Sequence, residues 1–507
     1  MKQYSKSILL SCTLSCAALF QFFTAQAENP SRLVILHTND THSQIDPYKD
    51  NRGGVARRKV LVDSVRAAEP ATLLIDAGDA VQGTLFFSLF KGEVEDKLMN
   101  LLGYDIQILG NHEFDNSIEE LAQRWSGLGS DRISTNYDLR ATPLDTILKP
   151  YVIKSFGDKK VGFIGINLNP EGMIAANHSE GVIYLDPVEA ANSTAWHLKH
   201  NERVDYVVVV SHIGYSNREL ANDLDLARQS KGIDVIIGGH SHTEIDPSRP
   251  DAPLHRVPNA VGDTVLLAQN AGRGVTLGEV VIDFNTGGVS SRLIQVDSRL
   301  DSLTDGSVES MLKPYRVAID SICGIELAKT PRELEQRSAE LTNLISDIVA
   351  EEGASISGRK IDLAIMNKGG IRRGIPKGSV TRGTVMEMLP FDNRIVVMEI
   401  SGKDLMDAFD IMASQEGQGI SRSAQAVYDA DRGKCTSIMI NGEPIDSSRT
   451  YTLATVDYLA GGGDYLSPLI NGTVTVTDRR IAYDAISDWM KSHPSIRPDD
   501  RKRMVAE

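Results

Sequence analysis

Short apolar runs, each followed by small and polar residues, recur between about residues 32 and 285. The runs are RLVILHTNDTH, ATLLIDAGD, IQILGNHEFD, KVGFIGIN, DYVVVVSHIG, DVIIGGHSHT and TVLLAQN. A run such as 207–210, which is valine throughout, has no polar alternation, and this is typical of strands that are buried on both faces. Because helices must then cover those faces, the pattern predicts an α/β layered domain.

The pattern changes after about residue 300. Residues 301–325 predict a helix, with Val308, Met311, Leu312 and Tyr315 at helical spacing. Beyond about residue 330 the helical ELTNLISDIVAEEG and the strand RIVVMEISG indicate an α+β region. A chain of 507 residues is also too long for one hydrophobic core. We therefore predict a first domain at 28–300, a linker helix and hinge at 301–330, and a smaller second domain at 331–507.

Residues 1–27 have the pattern of a secretory signal peptide. A basic start precedes an apolar run over residues 8–23 and a small-residue cleavage site at 25–27. In the alternative, the protein is a lipoprotein anchored through Cys12, because LLSC resembles a lipoprotein cleavage box. Either reading predicts a periplasmic or secreted protein. No later stretch approaches the roughly 20 apolar residues of a membrane span.

Charge and cysteine content limit the partners and the kind of metal site. A formal net charge of −15 and the lack of a basic run argue against nucleic-acid polymers as partners. Small anionic substrates remain compatible if metal ions supply positive charge locally. Beyond the signal peptide only Cys323 and Cys435 remain; they could pair, but two thiols are too few for a zinc–thiolate site. Any metal would therefore be held by His, Asp, Asn or Glu.

Ligand-type side chains follow five of the apolar runs. They are Asp40, His42, Asp79, Asn111, His112, His212, His240 and His242. A single Asp or His at a strand end is usually a cap or a structural side chain. The carboxyl ends of strands in an open α/β sheet, however, line one crevice, so five separate strands point to a common site. Nitrogen and oxygen ligands without thiolate fit two divalent ions such as zinc, manganese or cobalt, with Asp79 as the candidate bridge.

The order and wording of these segments resemble a known family. DTH with its preceding Asn, GDAVQGT, GNHEFD, SHIG and GGHSHT resemble the five blocks of the calcineurin-like metallophosphoesterases. NKGGIR and YLAGGGDY resemble, more narrowly, the secreted 5'-nucleotidase/UDP-sugar hydrolase family. The resemblance covers nearly the whole mature chain. It implies a four-layer α/β/β/α metallophosphoesterase domain followed by a smaller α+β substrate-binding domain.

The resemblance also implies roles for residues of the first domain. One ion would be held by Asp40, His42, Asp79 and His242, and the other by Asp79, Asn111, His212 and His240. His112 would stabilise charge on the phosphoryl group, and Asp115 would orient that imidazole. An aspartate that accepts one imidazole N–H fixes the tautomer and favours the cation. Helix capping is the structural alternative for Asp115, and Glu113 is expected to be structural.

In the second domain the resemblance implies a nucleotide-binding site. The implied residues are Asn367, Gly369, Gly370, Arg372 and Arg337 for phosphate, Phe391 and Tyr458 for the base, and Asp464 for the ribose hydroxyls. Glycine lets the backbone approach an anion, and aromatic stacking tolerates different bases. The segment RSAELTNLI departs from the family pattern R-E-[ST]-N-L-G-N-L-I at Glu340 and Thr342, so a solvated surface arginine is the alternative for Arg337. The alternatives for the rings and for Asp464 are core packing and a turn.

We therefore expect a monomeric dimetal hydrolase that acts on nucleoside 5'-phosphates and also on nucleotide-sugars such as UDP-sugars. The first alternative is a 2',3'-cyclic-nucleotide phosphodiesterase with 3'-nucleotidase action. Relatives of that kind usually carry Asn at the position of Asp115, so the complete His112/Asp115 pair favours the 5'-nucleotidase. The second alternative is a non-catalytic nucleotide-binding protein, which would have no need of seven metal ligands.

Overall fold

The computed structural model describes residues 29–48, 50–217, 220–497 and 499–507. The predicted signal peptide and the alternative lipid site at Cys12 lie outside these residues. Within the described part of the chain, none of the helices combines the length and the apolar character that a membrane crossing requires.

Strands and helices alternate in the first domain, as the apolar runs predict. The strands are β1 (Arg32–Thr38), β2 (Thr72–Asp76), β3 (Ile106–Ile108), β4 (Asp131–Ile133), β5 (Tyr137–Asp138), β6 (Tyr151–Phe156), β7 (Lys159–Asn167), β8 (Ile183–Tyr184), β9 (Tyr206–His212), β10 (Val235–Ile237), β11 (Arg256–Pro258), β12 (Thr264–Ala268), β13 (Thr276–Asp283) and β14 (Val289–Gln295). The helices are α1 (Val55–Ala68), α2 (Leu85–Phe90), α3 (Glu93–Leu102), α4 (Ile118–Trp125), α5 (Pro187–His197) and α6 (Asp223–Gln229).

Two six-stranded mixed sheets form the centre of this domain. One has the order β14-β13-β1-β2-β3-β4 and the other β11-β12-β10-β9-β7-β6. Neighbours run parallel from β1 to β4 and from β12 to β7. The antiparallel strands lie toward the edges. The carboxyl ends of the parallel strands in each sheet therefore lie at one edge, as expected.

Three hydrophobic clusters show the predicted four layers. Side chains such as Ile35 and Ile75 of the first sheet and Val208 and Val210 of the second pack together between the sheets. A second cluster lies between the first sheet and α1, α3 and α4. A third lies between the second sheet and α5 and α6. Because both faces of each sheet are covered, residues 207–210 are fully buried, which explains their uniform valine composition.

The linker is helical over a shorter range than predicted. Helix α7 spans Ser307–Cys323, and the residues before it contain a short 3-10 helix at Ser298–Leu303. Val308 and Leu312 pack in the first domain's core, whereas Cys323 packs in the second domain's core. Strand β15 (Glu326–Thr330) already pairs with a strand of the second domain. The helix therefore joins two separate cores.

The second domain has the α+β character that the sequence predicts. Its further strands are β16 (Leu363–Met366), β17 (Gly378–Thr381), β18 (Ile395–Ser401), β19 (Gly419–Ile420), β20 (Ala424–Asp429), β21 (Lys434–Ile440), β22 (Glu443–Pro444), β23 (Thr450–Val456), β24 (Thr473–Thr477) and β25 (Met504–Ala506). Its helices are α8 (Ala339–Ser357), α9 (Arg382–Met388), α10 (Gly402–Ser414), α11 (Asp457–Ala460) and α12 (Ala482–Ser492).

One core holds this domain together. A five-stranded sheet, β19-β16-β23-β18-β24, packs against α8, whose residues Leu341, Ile345 and Ile348 are fully buried. A four-stranded sheet, β22-β21-β20-β25, completes the fold. Cys323 and Cys435 are both free thiols, so the pairing that the sequence left open is not formed.

Candidate metal centre and substrate cleft

Five strand ends of the first domain meet at one buried centre. Asp40 and His42 follow β1, Asp79 follows β2, Asn111 follows β3, His212 ends β9, and His240 and His242 follow β10. Asp40, His42, Asp79 and His212 are almost completely buried. Residues from both sheets thus converge although more than 200 positions separate the first from the last.

Asp40, His42 and His242 form one side of the centre. Their ligand atoms all lie within 4.8 Å of one another. His42 Nε2 and His242 Nε2 are 3.0 Å apart, and His242 Nε2 is 3.3 Å from Asp40 Oδ1. His42 is buried and His242 is partly exposed, and two imidazole nitrogens this close together are typical of ligands to a shared cation.

Asp79, His212 and His240 form the other side, again with ligand atoms within 4.8 Å. His212 Nε2 lies 3.2 Å from Asp79 Oδ2, and His240 Nδ1 lies 3.1 Å from Asn111 Oδ1. Asp79 Oδ2 is also 3.9 Å from His42 Nε2 on the first side. Asp79 therefore stands between the two groups, as the bridging role requires.

The orientation of His212 fits a metal ligand. Its Nδ1 lies 2.6 Å from the carbonyl oxygen of Ala77, so this nitrogen carries the proton and Nε2 is left toward Asp79. Nε2 is buried and makes no aligned hydrogen bond among the described residues. Burial alone would lower the pKa of His212, but the charge of Asp79 outweighs it and raises the pKa to about 10. The centre thus attracts positive charge strongly, and the donor set fits divalent cations.

Left-handed backbone conformations concentrate at the same centre. Asp40, His42, Asp79, His240 and His242 all have φ between 46° and 72°. Such conformations are uncommon for residues other than glycine, and each costs of order 1–3 kcal/mol. The surrounding loops hold five of them within one site, and the strained backbone aims these side chains inward.

Gly110 and Glu113 have structural roles in the segment GNHEFD. A Cβ at Gly110 would overlap Asp79 Oδ1, so only glycine lets the two loops meet. The Glu113 carboxylate accepts backbone N–H groups from Asp79, Ala80 and Gly110. Glu113 is therefore structural, as expected, and it fixes the loop that carries Asp79.

His112 and Asp115 form the expected pair. His112 Nδ1 lies 2.9 Å from Asp115 Oδ2, within a short turn after β3. Burial lowers the pKa of His112, but the charges of Asp115 and Asp79 outweigh it and raise the pKa above the ordinary value. The backbone N–H of His112 also donates to Asp79 Oδ1 at 2.9 Å. The two carboxylates thus favour the cationic form of this imidazole beside the centre.

Arg372 of the second domain contacts this histidine. Its Nη2 lies 3.3 Å from His112 Nε2, and it donates to Gln82 Oε1 at 3.2 Å. No carboxylate lies within ion-pair distance of Arg372 in the part of the chain that the structure describes. A guanidinium and an imidazolium in contact repel each other, so together they present donors to an anion.

Asn367 and Asp464 lie together in the second domain. Asn367 Nδ2 donates to Asp464 Oδ2 at 2.6 Å. Gly369 and Gly370 follow Asn367 in a single 3-10 turn, and a Cβ at Gly370 would lie 2.7 Å from Asn367 Oδ1. Asp464 itself has φ 54°, which turns its carboxylate toward Asn367.

The two predicted aromatic residues lie on the same cleft, both half-buried. Phe391 is stacked with His112 across the domain boundary, with ring centroids 6.1 Å apart. Tyr458 accepts the backbone N–H of Asp464 at 3.1 Å and donates to the carbonyl oxygen of Gly172 in the first domain at 3.4 Å. Both rings therefore reach the domain boundary, and Tyr458 also packs against the core of the second domain.

Arg337 is exposed and has a left-handed backbone with φ 63°. Burial is the main cause of the lowered pKa values of Arg372 and Lys368, and the charge of Arg337 lowers both further. The role of Arg337 in phosphate binding stays a prediction.

Sequence reasoning missed Gln82. This residue is fully buried, has φ 73°, and accepts a hydrogen bond from Arg372. It lies within the segment GDAVQGT, and its place in the loop after β2, beside Asp79, was the available signal. Its partner, 290 residues away, could not be read from that segment.

Comparisons with known proteins agree with this architecture. The family model described as calcineurin-like phosphoesterase matches residues 33–244, and the model described as 5'-nucleotidase, C-terminal domain, matches residues 323–469. The 5'-nucleotidase of Bos taurus is 28% identical over 512 residues, covering 90% of this chain and 87% of that protein. The 5'-nucleotidase of Vibrio cholerae is 26% identical over 536 residues, covering 97% and 96%.

A solved structure extends the likeness to three dimensions. The 5'-nucleotidase precursor from Thermus thermophilus superposes with a TM-score of 0.81 at 29% identity, covering 94% of this chain and 99% of that one. The two family matches lie one in each of the domains that hold the candidate metal centre and the cleft above it. The chain therefore belongs to the calcineurin-like metallophosphoesterases that carry a 5'-nucleotidase C-terminal domain, and it is a metal-dependent phosphoester hydrolase.

Proposed function

We propose that this hydrolase removes phosphate from nucleoside 5'-phosphates. One observation carries the proposal: Arg372 and Phe391 of the second domain both contact His112 beside the candidate metal centre. A phosphoryl group at the centre would therefore meet a guanidinium, and the rest of the substrate would extend toward aromatic residues. A nucleotide has this combination of an anionic end and a flat apolar end.

We assign the two ions to the ligand sets implied by the family resemblance. Asp40, His42 and His242 would hold one, Asn111, His212 and His240 the other, and Asp79 would bridge them. When bound, divalent cations such as zinc, manganese or cobalt would activate water and offset the charge of the phosphate. The buried His212 Nε2, which makes no aligned hydrogen bond and lies 3.2 Å from Asp79 Oδ2, supports this assignment.

The chain's own residues would act on the substrate as follows. Arg372 and the protonated His112 would donate to the phosphoryl oxygens, because their nitrogens lie 3.3 Å apart and face the same space. Asp115 would keep His112 oriented through the 2.9 Å contact to Nδ1. Asn367, Gly369, Gly370 and Arg337 would hold the remaining phosphate oxygens, and Asp464 would accept from ribose hydroxyls. Phe391 and Tyr458 would stack on the base.

The main alternative is a 2',3'-cyclic-nucleotide phosphodiesterase with 3'-nucleotidase action. The contact between His112 and Asp115 supports the 5'-nucleotidase over this alternative, because relatives of the cyclic type usually carry Asn in place of the aspartate. Cleavage of nucleotide-sugars such as UDP-sugars is compatible with the same cleft and belongs to the proposal as a second activity.

A phosphate-release panel on the purified mature protein tests this proposal. It should contain AMP, ATP, UDP-glucose, 2',3'-cyclic AMP and 3'-AMP, each with and without added divalent metal. We expect AMP to be hydrolysed with a higher kcat/KM than 2',3'-cyclic AMP or 3'-AMP, and only with metal. Preference for cyclic or 3'-phosphates would replace the proposal with its alternative.

We further propose that the mature protein starts near Glu28 and acts as a monomer in the periplasm or outside the cell. The signal-peptide pattern of residues 1–27 supports this location. The functional units would be residues 28–300 and 331–507, joined by a hinge within 301–330.

A further inference from the structure

A second arginine lies beside the candidate metal centre with no assigned role. Arg273 follows β12, has φ 58°, and donates its backbone N–H to the carbonyl oxygen of Asp40 at 2.6 Å. Its side chain crosses Gly83, where a Cβ would lie 2.6 Å from Nη1 of Arg273 and 3.0 Å from the carbonyl oxygen of His42. The guanidinium therefore lies directly against the loop that carries the candidate ligands.

Arg373 of the second domain approaches the same region. Its Nη2 donates to Gln44 Oε1 at 3.3 Å, two residues beyond His42, and its Nη1 lies 3.6 Å from Glu387 Oε2. The Arg373 side chain remains 37% exposed, so it is not enclosed by these two contacts. The region is thus lined by one arginine from each domain.

The charge balance of this region is unusual. Among the described residues, the guanidinium of Arg273 makes neither a hydrogen bond nor an ion pair, although the residue is half-buried. Burial first, and then the charges of Arg372 and Arg373, lower the pKa of Arg273, while Tyr48 and Asp40 act in the opposite direction. An unpaired, partly desolvated guanidinium next to two others is costly unless an anion binds there.

This region lies at a different position from the predicted nucleotide-binding residues. Arg372 donates to Gln82 and faces His112 beside the candidate metal centre. Arg273 lies against Gly83, the next residue of the same loop, and Arg373 donates to Gln44. The Arg273/Arg373 region therefore adjoins the contacts of Arg372 without sharing them.

We infer that Arg273 and Arg373 form a second anion subsite, which binds a further phosphate group of the substrate beyond the phosphoryl group that Arg372 and His112 contact. This inference rests on the proposed function for the nature of the substrate. Two guanidiniums, one from each domain, suit the geometry of a phosphate, whose oxygens accept paired N–H donors. The preferred substrates are then nucleotides with two or more phosphates rather than monophosphates alone. The second phosphate is either terminal, as in ADP, or capped, as in a nucleoside-diphosphate sugar.

The test compares Arg273→Gln, Arg373→Gln and the double variant with the wild type. Arg292→Gln is the matched control, because Arg292 pairs with Glu279 on an outer strand and is 66% exposed. The measurement is kcat/KM for AMP, for ADP and for a nucleoside-diphosphate sugar with metal-loaded protein. We expect the double variant to lower the ratio of diphosphate to monophosphate kcat/KM by about tenfold or more, since each lost bond involves charged groups. A fall for ADP alone identifies a terminal phosphate, and a fall for the sugar substrate identifies a capped one.

A binding measurement separates this inference from the proposed function. Methylenediphosphonate cannot be hydrolysed, and its affinity for the metal-loaded wild type and double variant is measured by calorimetry, with methylphosphonate as the single-anion probe. A selective loss of diphosphonate affinity supports the subsite even if AMP proves to be a poor substrate. Equal losses for both probes, or an unchanged ratio of kcat/KM, would overturn it.

Discussion

At the residue scale, His112 is the point where both domains meet. Its Nδ1 contacts the Asp115 carboxylate, and its Nε2 lies next to the guanidinium of Arg372. The ring of Phe391 stacks against the imidazole. We expect His112→Ala to lower kcat for AMP by about two to three orders of magnitude, as the loss of one preorganised donor to a developing charge does. Metal content, measured by inductively coupled plasma mass spectrometry, should stay near that of the wild type.

The matched control is His200→Ala, an exposed histidine that stacks only on Trp196. It should leave both kcat and metal content unchanged. If His112→Ala loses its metal instead, the histidine is a ligand rather than a donor to substrate.

The two aromatic residues carry a second prediction at this scale. Replacing Phe391 and Tyr458 by Ala should raise KM for AMP by about tenfold or more, because stacking on a base is worth about 1–3 kcal/mol per ring. For p-nitrophenyl phosphate, which has no base, the change should be within about threefold. Steady-state kinetics on both substrates is the measurement.

Tyr458→Phe is the control, because it keeps the ring and removes only the hydroxyl that contacts Gly172 and Asp464. It should retain most of the affinity for AMP. Comparable losses on both substrates in the double Ala variant would show that the rings serve the fold.

At the element scale, α7 links two cores that share few other elements. Its first half packs in the first domain and its end, at Cys323, in the second. Residues 324 and 325 then lead into β15 without regular structure. A few backbone torsions there could turn one domain against the other, which would open the cleft for exchange of substrate and product.

Cross-linking the domains tests this hinge. Lys91 Nζ and Asp392 Oδ1 lie 2.5 Å apart across the boundary, so cysteines at these two positions would be within reach of a short bismaleimide. In a Cys435→Ser background, we expect turnover of AMP to fall by about tenfold or more once the domains are linked, because product release needs opening. Metal content should not change.

The same double-cysteine variant treated with a monofunctional maleimide is the control and should remain active. A fully cross-linked enzyme that hydrolyses AMP at the normal rate would exclude the hinge.

Elements and their order could be predicted well at this scale. Apolar runs without polar alternation identify strands buried on both faces, because only helices on each side can cover them. Boundaries were less accurate: α7 begins at Ser307 rather than near residue 301, where 298–303 forms a 3-10 helix. Local sequence at that point is compatible with either helix, and packing against α1 decides between them.

At the scale of the whole molecule, the candidate metal centre ties the two sheets of the first domain together. Bound cations would add stability in proportion to their occupancy, since they bind the folded state and not the unfolded chain. We expect a chelator to abolish phosphate release and to lower the melting temperature by about 3 °C or more, and added zinc, manganese or cobalt to restore both. Activity and differential scanning calorimetry are the measurements.

The control is the variant Asp79→Asn, which lacks the candidate bridging carboxylate. Chelation should shift its melting temperature much less than that of the wild type. Full activity of the metal-stripped wild type would contradict a two-metal centre.

The sequence alone predicted the class of fold, the candidate ligands at the strand ends and the family, because each depends on residues close together in the chain. Candidate ligands such as Asp40, Asn111 and His242 follow apolar runs directly, and parallel strands must end at a common edge. The segment GNHEFD also contains the residues that shape its own loop. Gly110 allows the close approach of the Asp79 loop, and Glu113 accepts a backbone hydrogen bond from Gly110.

The pairing of residues from the two domains depends on the folded structure alone. Arg372 contacts His112 and Gln82, which are 260 and 290 positions away, and Arg373 contacts Gln44, which is 329 positions away. No local pattern specifies such pairings, because a buried or half-buried polar side chain looks the same in sequence as a solvated one. The partners of these polar side chains are determined by the way in which the two domain cores pack on either side of the cleft.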